Sequence, residues 1–185
     1  MRTIYFATSN KAKAEEAKKA LLPFRITIKH LNITKPEEQH ASIEEIAKDG
    51  AEFLADMTKK ELLVEDTGLF FDAYPGFPGP NTKQLFEQLG YDGLLRLLKG
   101  KKRTAYFKTA IGYAKPGKAA RLFIGISKGS IAKKIQGKYD KNVPYDIIFI
   151  PKGYKKTYAL IPEIKEITSH RVVAFQKLGK WLKKQ

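Results

Sequence analysis

The chain has 185 residues, 43% of them apolar, a formal net charge of +16 from 35 Lys and Arg against 19 Asp and Glu, and no cysteine. The length fits one domain with a real core; the missing cysteine excludes disulfides and thiolate metal sites, and His30, His40 and His170 lack zinc-type spacing. No apolar run is long enough to span a bilayer, and the N-terminus lacks the charged start, apolar core and cleavage site of a signal peptide, so a soluble cytoplasmic protein is expected.

Such a positive field would draw nucleic acid, nucleotides or acidic lipid surfaces. A lysine-rich surface of the kind thermophiles carry would produce the same number. The lysines are spread along the chain rather than gathered in a tail, so charge alone picks no partner.

Residues 2–7 read as a buried strand and residues 11–22 as a helix, with Ala12, Ala17, Ala20 and Leu21 near helical spacing and Pro23 ending it. Phe24 to Ile28 alternates as a second strand, and residues 32–41 form a polar connection. Ser42 opens a helix to about Lys59, with Glu45 completing a capping box. Glu61 to Val64 reads as a short strand ending in Glu65-Asp66-Thr67-Gly68. A Pro/Gly-rich loop at 74–80 precedes two short helices near 81–89 and 92–98. Thr104 to Tyr113 and Arg121 to Ser127 form an antiparallel hairpin around Lys115-Pro116-Gly117-Lys118. Residues 129–144 read as irregular or partly extended, and Asp146 to Ile150 as a strand. A final helix from about His170 should bury Val172, Val173, Phe175, Leu178 and Leu182. Strands alternating with helices, with antiparallel pairing late in the chain, predict an α/β fold. No flexible linker interrupts it, so residues 1–185 are read as one domain.

The stretch Thr8-Ser9-Asn10-Lys11-Ala12-Lys13 leaves a strand through small polar residues and enters a helix. Free N–H groups at such a start, with the helix dipole, can hold a phosphate. That end of a helix ordinarily favours acids, so lysines there fit an anionic ligand; an ordinary N-cap with surface lysines is the plainer reading. Neither GxxxxGK[ST] nor GxGxxG occurs. Glu65 and Asp66, at the expected end of a strand, could hold Mg²⁺ or place a water. A polar turn with Gly68 at positive φ would explain the same residues. Pro36-Glu37-Glu38-Gln39 could complete a metal site with Asp66 or remain a solvated loop. Ser169-His170-Arg171 could read a base edge, or be an N-cap followed by two surface residues. Tyr145-Asp146 is a weaker signal. No serine sits in a nucleophile elbow, so no Ser-His-Asp triad is expected.

In this order the elements resemble the Ham1/ITPase family of non-canonical purine nucleoside triphosphate pyrophosphatases. The family's T-[GS]-N-x-x-K is similar to Thr8-Ser9-Asn10-Lys11-Ala12-Lys13, and its P-E-[IY]-Q to Pro36-Glu37-Glu38-Gln39. Its [ED]-D-[ST]-G-L resembles Glu65-Asp66-Thr67-Gly68-Leu69, followed by Gly76-Phe77-Pro78-Gly79. Its A-x-F strand resembles Ala105-Tyr106-Phe107, its Y-D-P-I-F-x-P resembles Tyr145 to Pro151, and its K-x-x-x-S-H-R matches Lys165 and Ser169-His170-Arg171. Each motif alone is weak, but six in the right order cover nearly the whole chain.

The resemblance implies an elongated α/β fold, a long mixed sheet with flanking helices forming two lobes around a central cleft, in a homodimer that needs Mg²⁺. It implies that Thr8, Ser9, Asn10, Lys11, Ala12 and Lys13 grip a triphosphate, and that Glu37 and Asp66 hold the metal. Asp66 would also place or deprotonate the water, with Thr67 near the substrate. Tyr145, Asp146, Lys165, His170 and Arg171 would surround the purine of ITP, dITP or XTP, whose 6-keto group accepts hydrogen bonds that adenine's amino group cannot. Water would attack the α-phosphorus, releasing pyrophosphate and leaving the monophosphate.

The chain departs from the family pattern in places. Val143 and Pro144 stand where an aromatic and a glycine or alanine are usual, which implies weaker stacking on the base or a transfer of that role to Tyr145. Gly79-Pro80-Asn81-Thr82 replaces G-V-Y-S, Gly50 replaces a lysine, and Glu38 replaces an apolar residue, so Glu37 and Glu38 both suit the metal role. Two other readings fit parts of the sequence: a basic nucleic-acid-binding protein with a vestigial nucleotide site, and a pyrophosphatase for modified pyrimidine nucleotides. Glu37 and Asp66 converging in a basic cleft would repel a bare phosphate backbone yet suit Mg²⁺-nucleotide, so nucleic acid is not required; Ser169-His170-Arg171 favours a purine.

Overall fold

A computed structural model of the chain describes residues 2–33 and 42–185. The first strand, β1 (Arg2–Ala7), leads into helix α1 (Lys11–Leu21). Asn10 caps that helix, its side-chain oxygen accepting from the N–H groups of Ala12 and Lys13 at 2.9 and 3.3 Å. Ala14, Ala17 and Leu21 are its buried stripe, whereas Ala12 and Ala20, expected inside, are only half-buried. Pro23 stops the helix in a 3₁₀ turn, Leu22–Phe24, and Arg25 turns the chain at φ 59°. The second strand therefore starts later than expected, as β2 (Ile26–Leu31), with Phe24 in the turn.

Helix α2 (Ile43–Thr58) opens with the anticipated capping box: the Glu45 N–H donates to the Ser42 hydroxyl, and the Ser42 N–H donates to the Glu45 carboxylate. The strand expected to end at Val64 is instead ten residues long, β3 (Leu62–Phe71). Glu65-Asp66-Thr67-Gly68 is thus mid-strand rather than a turn, and Gly68 is not at positive φ. It faces the Pro/Gly loop, where β4 (Pro78–Gly79) pairs with β3 so closely that a Cβ on Gly68 would stand 2.7 Å from the Gly79 carbonyl oxygen. The two short helices expected next are the halves of α3 (Thr82–Leu97), broken where Gly90 takes φ 58° and ψ −167°.

The hairpin forms as β5 (Thr104–Ala114) and β6 (Arg121–Ile131), the second strand running past Ser127. Asp146 to Ile148 is not extended. Pro144 opens a 3₁₀ turn, Pro144–Ile147, and only Phe149–Pro151 forms a strand, β7. A short helix not expected from the sequence, α4 (Pro162–Thr168), precedes the final α5 (His170–Leu182). In α5 Ala174 is buried where Val173 was expected, and Val173 is half-buried.

The seven strands among the described residues make one mixed sheet in the order β2-β1-β3-β5-β6-β7, with β4 off β3. β1 is parallel to β2 and β3; the other pairs are antiparallel. Helices α1 and α5 cover one face, packing on Ile4, Phe6, Leu63, Ile111 and Phe123. Helix α2 covers the other, its Ala51, Leu54 and Ala55 against Leu62 and Val64. On the α1/α5 face a second core gathers Leu69, Phe71, Ala105, Phe107, Phe149 and Tyr158 at the far end of the central strands. Between the two cores the inward positions turn polar or small: Glu65 and Thr67 on β3, Thr109 on β5, Gly125 and Ser127 on β6. Each large apolar side chain in those cores contributes roughly 1.5–3 kcal/mol, and that burial on either side supports a band that stabilises little by itself.

Candidate active site

β1 ends at Ala7, opposite Val64, while the parallel β3 runs on to Phe71. The chain therefore turns away through Thr8-Ser9-Asn10 next to Glu65 and Asp66. The strand end beside these acids is that of β1, not the end of β3 as expected. The turn is held from both sides. The Thr8 N–H donates to Leu31 O at 3.0 Å, a ring nitrogen of His30 lies 2.6 Å from Thr8 O, and the Asn10 N–H donates to the Thr8 hydroxyl at 3.2 Å. Ser9 and Lys11 are exposed, and Ala12 is half-buried at the helix start.

Lys13 lies in the first turn of α1 and pairs with Glu65 at 2.9 Å. From there an alternating chain of charges crosses the polar band. Arg171 Nε is 3.2 Å from Glu65, Arg171 Nη1 is 2.6 Å from Glu16, and Lys165 Nζ is 3.7 Å from Glu16 and 2.5 Å from Asp146. Three cations thus meet three carboxylates. Thr67 adds hydrogen bonds to Glu65 and, at 2.6 Å, to the Thr109 hydroxyl. Lys13, Asp146, Lys165 and Arg171, predicted from separate segments, are brought together. Of the two acids that join them, Glu65 was expected to hold Mg²⁺ or place a water with Asp66 and instead pairs with Lys13 and Arg171, and Glu16 had no role in the sequence reading. Strand alternation could have signalled Glu65, and a helical offset of three from Lys13 could have signalled Glu16.

Burial decides the electrostatics. Taking Glu65 out of water pushes its carboxyl up, but Arg171, Lys13 and the Thr67 hydroxyl outweigh that and hold it well below the usual carboxylate range. Arg171 loses solvation too, yet Glu65 and Glu16 keep it firmly protonated. Burial raises Asp146 against the pull of Lys165.

His170 and Arg171 are each only 6% exposed, so they are not surface residues after an N-cap. The cap itself is real: Ser169 accepts from Val172 N–H at 3.3 Å. The His170 ring stacks on Phe107 with centroids 4.6 Å apart, and its Nδ1 is buried with no hydrogen-bond partner among the described residues. Burial, reinforced by the Arg171 charge, holds His170 well below its ordinary pKa, so the imidazole is neutral. Its backbone is seated on β6 by Gly125: any Cβ there would stand 1.9 Å from the His170 carbonyl oxygen. Tyr145 is buried against Phe86 and Phe107 and donates its hydroxyl to Thr82 O at 2.8 Å. Val143 and Pro144 are half-buried, and Tyr91 donates to Pro144 O at 2.7 Å.

Asp66 is on the opposite face of β3 from Glu65 and Thr67, because neighbouring strand residues point to opposite sides. The two adjacent acids therefore do not converge on one ion. On the Asp66 side, towards α2, lies the Lys108–Glu44 pair at 2.7 Å. Glu37 and Glu38 lie outside the described residues. Among the described residues no three His, Cys, Asp or Glu side chains gather in a metal cage. Mg²⁺ needs none, since it is held by one or two carboxylates together with water and substrate phosphates; the hard oxygen donor of Asp66 fits that pattern.

Fold and site together define a mixed α/β protein with a capped polar turn between its first strand and first helix and a charge-paired polar band beside it. The Ham1 family model matches residues 4–181, and the chain belongs to that family. It is 39% identical over 182 residues to a dITP/XTP pyrophosphatase of Methanopyrus kandleri, covering 97% of this chain and 96% of that protein. It is 41% identical over 184 residues to a dITP/XTP pyrophosphatase of Ignicoccus hospitalis, covering 98% and 97%. Its fold superposes on a HAM1 protein from Coxiella burnetii with a TM-score of 0.84 at 25% identity, covering the whole of both chains. No helix among the described residues is long and apolar enough to cross a membrane.

Proposed function

We propose that this chain is a Mg²⁺-dependent nucleoside triphosphate pyrophosphatase that converts ITP, dITP and XTP to their monophosphates and pyrophosphate. The observation that carries this is the charge network that links the phosphate turn, through Lys13, to Asp146, Lys165 and Arg171. Such a network sets cations at both ends of a substrate that is anionic at one end and polar at the other. The names of the full-length relatives support the same reading.

In this reading Thr8 to Lys13 hold the triphosphate at the N-terminus of α1, where backbone N–H groups and the helix dipole favour negative charge. Asp66 positions and deprotonates the water that attacks the α-phosphorus. Asp66 and Glu37 would hold Mg²⁺, which when bound would neutralise charge on the phosphates. His170, kept neutral and lacking a partner at Nδ1 among the described residues, offers a hydrogen bond to the base edge. A base that leaves such buried groups unpaired is rejected strongly. Adenine would be excluded at its 6-amino group, and guanine by its 2-amino group. One domain, a homodimer and a cytoplasmic location belong to the same reading.

Asp66→Asn tests the chemistry: turnover should vanish while the thermal midpoint stays near wild type, and near wild-type turnover would sink the mechanism. His170→Ala tests the base reading: the preference for ITP over ATP should fall, and an unchanged ratio would remove His170 from that role.

A further inference from the structure

The end of α5 remote from His170 carries a second set of chemistry-bearing groups that the reaction does not use. Trp181, the sole tryptophan of the chain, stands about 16 Å along the helix axis from His170 at 1.5 Å per residue. It forms one wall of a cavity of about 300 Å³, which Arg2, Tyr113, Lys115, Lys118 and Arg121 also line. The Arg121 guanidinium lies over the Trp181 ring at 5.0 Å, and Tyr113 meets that ring edge-on at 5.4 Å.

We propose that this cavity binds a nucleotide unit, a planar ring carrying a phosphate, at a second site separate from Asp66. Bases stack on aromatic rings and on arginine planes alike, so a base would continue the stack that Arg121 and Trp181 begin. The phosphate would meet the lysines of the hairpin turn. Among the described residues Lys115, Lys118 and Arg121 pair with no carboxylate. The acids near this turn bond to groups other than its lysine side chains. Glu61 holds Arg2 at 2.7 Å, Asp56 accepts from the Gly117 N–H at 2.6 Å, and Glu52 accepts from the Ala120 N–H at 2.8 Å. These last two bonds fix the backbone of the turn that presents the lysines, and among the described residues no salt bridge ties the lysine side chains themselves. A merely solvated lysine face has no need of an anchored turn, a concavity and an aromatic wall in one place. The volume lies at the lower end of ligand pockets, which suits one base-sized group.

The ligand could be a free nucleotide or one unit of a single strand, and the experiment separates them. Trp181 fluorescence is titrated at low salt with 5′-AMP and with a short single-stranded oligoadenylate, on wild type and on the Lys115→Ala/Lys118→Ala double variant. Saturable quenching, weakened at least tenfold in the double variant, supports the site. Tighter binding of the oligonucleotide, falling with added salt, assigns a strand; equal or tighter binding of AMP assigns a free nucleotide. Pyrophosphate release from ITP by the double variant should match wild type, because the lysines lie at the other end of α5. Absence of quenching by both probes, or equal affinity in the double variant, would overturn the proposal. The fluorescence readout does not depend on turnover, so it stands or falls separately from the catalytic reading.

Discussion

Glu65→Gln removes one negative charge from a site closed to solvent and leaves the side-chain shape almost unchanged. Two cations lose their partner, Lys13 at 2.9 Å and Arg171 at 3.2 Å. Removing one member of a buried pair costs about 3–5 kcal/mol, because the charge left behind stays desolvated. Arg171 keeps Glu16 at 2.6 Å, and the Lys13 side chain is 26% exposed and can turn to water, so the cost falls at the lower end, about 3 kcal/mol. For a chain of this length each kcal/mol moves the thermal midpoint by about 2–4 °C, giving a fall of about 6–12 °C. The sign of the pH dependence follows from the depressed folded pKa of Glu65. Its contribution is complete above the unfolded carboxylate value of about 4.3 and is lost only as pH falls through the lower folded value. The deficit of the variant should therefore be constant from about pH 6 to pH 8. Thermal melts and urea midpoints measure it, with Glu15→Gln as the control, since Glu15 pairs with Lys18 on the exposed face of α1 and should cost next to nothing. If Glu65→Gln melts with its control, the buried network does not organise the polar band.

Gly125→Ala should cost about 3 kcal/mol or more, since its Cβ meets the backbone of His170 and Ala174 rather than a yielding side chain, and it should lower turnover by displacing His170 and Arg171; a wild-type melting curve would contradict the close approach. His170 has a depressed folded pKa, so its stabilisation is full above the unfolded value of about 6.5 and is lost at up to about 1.4 kcal/mol per pH unit below it. Wild type should therefore lose stability relative to His170→Asn as pH falls from about 7 to 5, and parallel pH curves would refute the neutral buried imidazole. Ser42→Ala, which breaks the capping box of α2, should cost about 1 kcal/mol, read as a shift in the urea midpoint at unchanged slope.

The features legible in the sequence are those whose causes are local. Ser42 and Glu45 lie three residues apart and cap the helix they announce, and the hairpin follows from its Lys115-Pro116-Gly117-Lys118 turn. The Thr8-to-Lys13 turn and Ser169-His170-Arg171 are contiguous, so each could be picked out before anything was known of its partners. Glu65-Asp66-Thr67-Gly68 misled because four polar or small residues look like a turn. They stay in the strand because their partners come from afar: Lys13 from α1 and Arg171 from α5, 106 residues away. The same distance hides Glu16, which on α1 alone is one more solvated acid. At Asp146 to Ile150 an apolar run suggested a strand, but Pro144 favours a 3₁₀ turn and the Tyr145 hydroxyl finds the Thr82 carbonyl, fixing the first part of that run in a bend.

The central claim rests most directly on pyrophosphate release from ITP, dITP, XTP, GTP, ATP and dUTP, measured with Mg²⁺ and again in EDTA. Fast release from ITP, dITP and XTP, slow release from GTP and ATP, and loss of all activity in EDTA is the predicted result. Release from dUTP alone would keep the reaction and overturn the purine preference, and no release from any of the six would contradict the assignment of this site as catalytic.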